Sequence, residues 1–296
     1  MSRFDEKSTG VLTSLDFKKK SIRVLYAAMI AALIIISMIC IFPPIWIFLS
    51  CFKDMKEFLS IPPTIIPKTF NLRKIPEVWK LLNFGRFYVN TMVLVLGDWL
   101  FCITLNGLAG YVLSRLNPKG SKLIMTMIFW TMLLPTSVNM VPLFMTIVNF
   151  PLLNISLMNS YVPMWLMSGA NAFYVLLFRS FFNSIPTSYM EAARIDGCTN
   201  LGIFTKIMLP LSKPIVMVVS IFSITSSWES FLWPYLIIKD EGMSTVAMQV
   251  FRLAQNGFAT DKYMVVLMFC VIPPAVIFVL FSKYIMQGAN MSGIKG

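Results

Sequence analysis

Six stretches of this chain are apolar for long enough to cross a bilayer, which takes about 20 residues of helix. They run from about Leu25 to Phe52, Phe87 to Leu113, Leu123 to Val148, Ser156 to Phe178, Ile215 to Ile238 and Met264 to Ile285. This pattern predicts an all-α, polytopic membrane protein with six transmembrane helices. Three polar intervals stand out between the apolar ones. The interval Lys53–Arg86 is too long for a plain connector, and Ile61-Pro62-Pro63 and Ile66-Pro67 keep it extended or turn-like, so a small external cap is expected there. Lys239–Lys262 is a second external loop. The third, Ser188–Pro214, reads SYMEAARIDGCTNLGIFTKIMLPLSKP and cannot sit comfortably in lipid.

That polar island carries helix punctuation. Ser188 with Glu191 three residues on fits a capping box. Gly197 suits the left-handed residue that ends a first short helix. Thr199 is placed to cap a second, with Leu201, Phe204 and Met208 as its apolar stripe, Ile207 beside it, and Pro210 as its stop. A polar helix–turn–helix between two membrane spans has no lipid in which to hide that stripe. It needs the membrane surface or a soluble partner.

Composition agrees with a membrane protein. Charged residues make up 13% of the chain, about half the usual share in soluble domains. The net charge of +12 invites a nucleic-acid reading, but membrane proteins gather Lys and Arg on the cytoplasmic side and carry few acids. The apolar run after Met1–Ser21 is far longer than a signal-peptide core and lacks a small-residue cleavage site, so an uncleaved first span is expected. There is no His, which removes imidazole metal sites, Ser-His triads and histidine proton relays. The five cysteines form no C-x-x-C pair and read as small apolar residues.

Basic residues set the orientation. With six spans, one side holds Lys18, Lys19, Lys20, Arg23, Arg115, Lys119, Lys122, Arg179, Arg194, Lys206, Lys213, Lys283 and Lys295. The positive-inside rule makes this side cytoplasmic, with both termini and Ser188–Pro214. The cap interval departs from the rule: seven basic residues there oppose Asp54, Glu57 and Glu77.

Pro43-Pro44, Pro135, Pro142, Pro163, Pro234 and Pro273-Pro274 fall in or near spans, each expected to kink or break its helix. Non-helical backbone at that depth must face protein or a water-filled cavity, which favours a moving, cavity-containing protein. Two acids lie inside predicted spans, Asp98 near the middle of the second and Glu229 in the outer half of the fifth. Such charges cost about 2.5–3.5 kcal/mol on insertion scales and usually face a polar interior. Asn90, Asn106, Asn139 and Asn171 suit helix–helix hydrogen bonds better than substrate contact, although Asn139 and Asn171 also qualify for the pathway. Trp228 and Trp233 flank Glu229, and aromatic faces beside hydrogen-bonding groups suit a sugar ring. Trp99, Trp130, Trp165 and Trp233 are otherwise expected in an interfacial aromatic belt.

The segment Glu191-Ala192-Ala193-Arg194-Ile195-Asp196-Gly197, followed by Phe204, Ile207, Leu209-Pro210 and Pro214, resembles the EAA loop of importer-type ABC permeases. Gly110-Tyr111-Val112-Leu113-Ser114-Arg115 is similar to the A-Y-x-x-x-R end of the second span in the carbohydrate-uptake branch. Phe178-Arg179-Ser180-Phe181-Phe182, then Ile185-Pro186, matches the lead-in to the loop. Trp228 to Pro234 resembles that branch's W-N-x-F-L-W-P, and Ser292-Gly293-Ile294-Lys295-Gly296 resembles the terminal G-x-(V/I)-K-G of the maltose-permease "G" type. Two positions depart from the pattern. Cys198 stands where alanine is common, and Glu229 where asparagine is usual.

The resemblance implies a type I ABC importer permease fold: a cytoplasmic segment 1–23, a six-helix domain 24–286 and a cytoplasmic tail 287–296. Within the domain lie external loops 53–86 and 239–262 and a coupling loop 181–214. It implies that Glu191, Ala192, Ala193, Arg194, Asp196, Gly197 and Phe204 couple to a cytoplasmic ATPase, and that Gly293, Lys295 and Gly296 reach its dimer interface. Asp98, Asn139, Asn171, Trp228 and Glu229 are the expected substrate-pathway residues. The implied partners are a second permease subunit, two ABC ATPase subunits, an external solute-binding protein, a carbohydrate and the bilayer. No G-x-x-x-x-G-K-[ST] phosphate loop occurs, so ATP and Mg are expected on the ATPase subunits rather than here. The alternatives are an ABC permease for a non-sugar solute and an ion-coupled carrier. The second is disfavoured by the missing histidines and the scarcity of intramembrane acids.

Overall fold

The computed structural model describes residues 20–151 and 153–292, with side chains through 281 apart from that of Thr136. The tail positions Gly293, Lys295 and Gly296 and the basic residues Lys18 and Lys19 lie outside the described residues. Regular structure among the described residues is helical, apart from an isolated bridge between Phe150 and Ile155. The helices are α1 (Lys20–Ser50), α2 (Met55–Phe58), α3 (Lys74–Leu81), α4 (Phe84–Leu116), α5 (Ser121–Leu133), α6 (Thr136–Val148), α7 (Val162–Gly169) and α8 (Ala172–Ser184). They continue as α9 (Ser188–Ile195), α10 (Asn200–Leu211), α11 (Lys213–Glu229), α12 (Leu232–Ile237), α13 (Val246–Gln255) and α14 (Thr260–Ser292).

Three helices, α1, α4 and Thr260–Phe281 of α14, are long and apolar enough to cross a membrane. Two bent pairs, α5 with α6 and α10 with α11, would raise the number to five if each were one span. The α10–α11 pair bends by 84°, and α10 packs its apolar side on the other helices, so its apolar length belongs to packing and not to a crossing.

The prolines act unequally. Pro43 and Pro44 do not interrupt α1, and Pro273 and Pro274 do not interrupt α14. In lipid, leaving the helix would orphan more backbone groups than two prolines do, so the helix persists. Other helices break. Pro135 separates α5 from α6. The expected span Ser156–Phe178 is instead two helices, parted at Ala170 and Asn171. The expected span Ile215–Ile238 ends at Glu229 and restarts at Leu232, because Pro234 has no N–H to return to Ser230.

Helix α4 is the axis. Helix α7 packs along its first half, α8 along its second, and α11 alongside. Glycine permits the approach. A Cβ on Gly110 would lie 2.7 Å from Phe178 Cβ and 2.9 Å from the Arg179 backbone nitrogen, and one on Gly97 would meet the Trp165 ring. Small residues at helix crossings serve this role in membranes, where apolar burial between helices gains nothing over lipid. Trp99 donates to Ser220 Oγ at 2.7 Å and Trp165 to the Leu94 carbonyl at 3.1 Å. These two rings therefore join helices rather than belong to an aromatic belt. Asn90 donates to the carbonyls of Gly242 and Ser244, and Thr91 accepts from the Val246 N–H, pinning the loop before α13 onto α4. Helix α1 is exposed along its apolar length and packs chiefly on α14.

The interval Lys53–Arg86 is a compact cap. Lys53 donates to the Thr64 carbonyl and sits 4.3 Å over the Trp46 ring. Lys74 donates to the Lys53 carbonyl and lies 3.7 Å from Asp261 at the start of α14. Burial pushes the Lys74 ammonium below its usual range, and Asp261 opposes the shift. Two of the basic residues that broke the charge pattern are thus buried and internally paired, so they weigh little as orientation signals. Trp79 meets Phe84 and Phe269, fastening the cap to α4 and α14.

Gly110→Ala should push α4 and α8 apart and destabilise the fold by about 1–3 kcal/mol. Gly85→Ala, whose Cβ would meet only ordinary contacts at 3.7 Å, is the control. A clear fall in the thermal midpoint of the purified protein for the first variant and not the second is the expected result.

Candidate functional site

The polar island folds as α9, a tight turn and α10. Helix α9 ends in a Schellman turn: Cys198 N–H donates to the Ala193 carbonyl, Gly197 N–H to that of Arg194, and Gly197 has φ +78°. Thr199 then caps α10 by accepting from the Gly202 N–H at 3.1 Å. The capping box at Ser188 does not form. Thr187 precedes the helix, Ser188 is its first residue, and no side chain caps the end. Pro186 already sets the chain direction before it.

The apolar stripe of α10 is not left over for a partner. Ile203, Phe204 and Met208 are buried against Tyr111, Phe178 and Phe182 of the same chain, with Ile207 partly buried beside them. Each such side chain removed from water stabilises by about 1.5–3 kcal/mol. Leu201, expected in this stripe, is 61% exposed, and Ile203 takes its place. Ala193 and Phe204 therefore face inward and hold the element to the bundle. Glu191, Ala192, Arg194, Asp196 and Gly197 are exposed, with Tyr189 and the 87%-exposed Ile195. What the island presents outward is a mixed ledge of charge around one bare isoleucine.

Arg115 locks this ledge to the membrane helices. One guanidinium nitrogen donates to the carbonyls of Phe182 and Ile185, at and just beyond the end of α8. Carbonyls at a helix C-terminus lack partners within the helix, and a cation suits them. Helix α4 itself ends at Asn117, which adopts the left-handed conformation.

A cavity of about 180 Å3 opens deeper in the bundle, lined by residues of α4, α7, α8, α11 and α12 together with Asn171 and Ser230. Asp98 is 6% exposed, and its Oδ2 accepts from the Ser227 hydroxyl. Asp98 Oδ1 and Ser223 Oγ are buried without a hydrogen-bond partner. Ser168, Ser226, Ser230, Asn171, Tyr174 and Trp233 complete the polar and aromatic lining. Asn106 builds the wall behind it. Its side chain donates to the Ser168 carbonyl and accepts from the Asn171 N–H, each at 2.9 Å, satisfying the backbone at the α7–α8 break. Asn171 in turn caps α8 by accepting from the Tyr174 N–H.

The structure brings together Asp98, Asn171 and Trp233 and separates the other expected pathway residues. Glu229 is exposed at the end of α11, lining two neighbouring recesses. Trp228 does not pair with Trp233 about Glu229. It is buried, donates to the Cys270 carbonyl at 3.1 Å and meets Tyr88 edge-on. A residue next to Glu229 on a helix points about 100° away from it. Asn139 lies exposed on α6, away from the cavity lining. The serines were missed, although Ser220, Ser223, Ser227 and Ser230 recur three and four apart, the spacing of one helix face.

The family model of the binding-protein-dependent transport system inner membrane component matches residues 106–290, which include both the ledge and most of the cavity lining. The chain belongs to this family. Among relatives of this inner membrane component, the arabinooligosaccharides transport system permease protein AraQ of Bacillus subtilis (strain 168) is 28% identical, over 88% of this chain and 92% of AraQ. The sn-glycerol-3-phosphate transport system permease protein UgpE of Escherichia coli (strain K12) is 29% identical, over 84% of this chain and 90% of UgpE. The fold matches a chain from the crystal structure of a bacterial ABC transporter involved in the import of the acidic polysaccharide alginate. The TM-score is 0.77 at 21% identity, covering 90% of this chain and 98% of that one.

In this inner membrane component, Arg115→Ala should strand two carbonyls and cost about 1.5–3 kcal/mol locally. Hydrogen exchange of the amides of residues 183–197 should speed up while those of α14 stay unchanged.

Proposed function

We propose that this chain is the permease subunit of an ATP-driven importer and forms half of a path for a carbohydrate delivered by an external binding protein. The observation that carries the reading is the cavity at Asp98: hydroxyls, an amide and a carboxyl beside the Trp233 and Tyr174 rings, inside an otherwise apolar bundle. Sugar hydroxyls need such donors and acceptors, and a sugar's C–H face suits an aromatic ring. AraQ, a permease named for arabinooligosaccharides, supports an oligosaccharide as cargo. UgpE, named for sn-glycerol-3-phosphate, supports a second reading in which the cargo is a non-sugar solute.

In this proposal six helical crossings make up the domain 24–286. The sixth comes from α7 and α8 taken together. They follow α4 in the same direction from its first half to its second, and Val162–Ser184 rises about 34 Å at 1.5 Å per residue, enough for the hydrocarbon core. An even number of crossings puts residues 1–23 and the tail 287–296 on one side, together with the ledge in 181–214, and the basic residues gathered there make it the cytoplasmic side. Loops 53–86 and 239–262 then face the binding protein.

The chain is non-catalytic in this account, with ATP and Mg on two ABC ATPase subunits. Glu191, Ala192, Arg194, Asp196 and Gly197 meet one of them, while Ala193 and Phe204 transmit the push by tying α9 and α10 to α4 and α8. Gly293, Lys295 and Gly296 approach the ATPase interface. A second permease chain closes the path.

Glu191→Lys should leave the complex assembled, lower uptake at least tenfold, and abolish stimulation of ATP hydrolysis by the binding protein. Ile195→Asp, which loads charge onto the bare apolar point of the ledge, should weaken ATPase retention on purification. Normal uptake by Glu191→Lys with full ATPase retention by Ile195→Asp would sink this coupling assignment.

A further inference from the structure

We infer that the path lined by this chain selects an uncharged carbohydrate over an acidic one, with Asp98 as the specificity-determining residue. The inference rests on the carbohydrate reading above and adds the charge class of the cargo.

Two buried groups in the cavity lack partners, Asp98 Oδ1 and Ser223 Oγ. Both line the same space. An unpaired buried polar group is costly and calls for a ligand that satisfies it. The Ser227 hydroxyl is already committed to Asp98 Oδ2, so it holds the carboxyl with the other oxygen unused. Ser227 is thus a positioning residue. As a carboxylate, Asp98 Oδ1 only accepts, and a sugar hydroxyl satisfies it by donating. The space of about 180 Å3 exceeds the roughly 150 Å3 that holds a benzene ring in a protein interior. One sugar ring is a fitting occupant, and an amide, hydroxyls and Trp233 remain for its other faces.

The charge preference follows from the continuity of the wall. Ser226, Ser230 and Trp233 line both this cavity and the recess bearing Glu229. Two carboxyl groups therefore face one connected surface. No Lys or Arg lines either space among the described residues. A carboxylate or phosphate on the cargo would meet like charge at close range and find no guanidinium or ammonium to pair with. Among the described residues no group of three or more His, Cys, Asp or Glu could hold a metal ion that would bridge such an anion.

The test uses the assembled transporter in lipid nanodiscs without its binding protein, so that selection by that partner does not enter. Binding of a neutral hexose disaccharide is compared with that of the matching uronic-acid disaccharide, and glycerol is compared with glycerol phosphate. The wild-type complex should favour the neutral disaccharide by at least about tenfold. Asp98→Asn, which keeps the shape of the side chain, should shrink that ratio several-fold by weakening the neutral sugar and admitting the acidic one. Ser227→Ala should weaken neutral-sugar binding and retain the charge preference. Equal or tighter binding of the uronic-acid disaccharide by wild type would overturn the inference and leave the carbohydrate reading standing. A ratio unmoved by Asp98→Asn in a complex that elutes intact would likewise overturn the role of Asp98. Binding of neither disaccharide, with glycerol favoured over glycerol phosphate, would overturn the carbohydrate reading and uphold the charge rule.

Discussion

A backbone group that loses its helical partner inside a bilayer has no water to turn to, and the architecture of this permease follows from that constraint. Where protein supplies a substitute, the helix breaks. Asn106 supplies both a donor and an acceptor at the gap between α7 and α8. Arg115 takes the carbonyls at the end of α8. Where no substitute is at hand, as along the exposed α1, even two adjacent prolines leave the helix continuous. The α7–α8 break adjoins the cavity and the end of α8 adjoins the ledge, whereas the break at Pro135 is exposed.

These two features share one scaffold. Helix α4 carries Asp98 into the cavity and Arg115 to the ledge, about four and a half turns apart on one continuous helix. Close contact through Gly110 fixes α8 against it, and the aromatic cluster of Tyr111, Phe178, Phe182 and Phe204 fixes α10 beneath both. Packed side chains tie α9 and α10 to α4 and α8. The island's apolar stripe serves this internal fastening. Glu191, Ala192, Arg194, Asp196 and Gly197 stay outside that fastening and are exposed.

The cap has a parallel logic at the other end. Lys53 and Lys74 are buried, and their hydrogen bonds and the Asp261 contact keep the cap on α4 and α14. Two lysines counted from sequence as orientation signals, Lys53 and Lys74, are structural cations. Counting rules assume that charge faces water, and that assumption fails where a small domain folds over the membrane surface.

Hydrophobic periodicity and length alone identified a helical membrane protein, and the order of its motifs pointed to its family. Local chemistry read from neighbouring residues held in part: the left-handed Gly197 and the Thr199 cap, which depend only on backbone within a few positions, form, and the capping box at Ser188 does not. Contacts between distant segments were out of reach. Asn106 meets Ser168, Asp98 meets Ser227, Arg115 meets Ile185 and Trp228 meets Cys270 across helix faces that adjacency in sequence does not report. Tertiary packing decided which prolines break a helix, which tryptophan faces the cavity and which side of α10 is buried. Each of these depends on what lies opposite a side chain, and the identity of that neighbour is a property of the folded bundle.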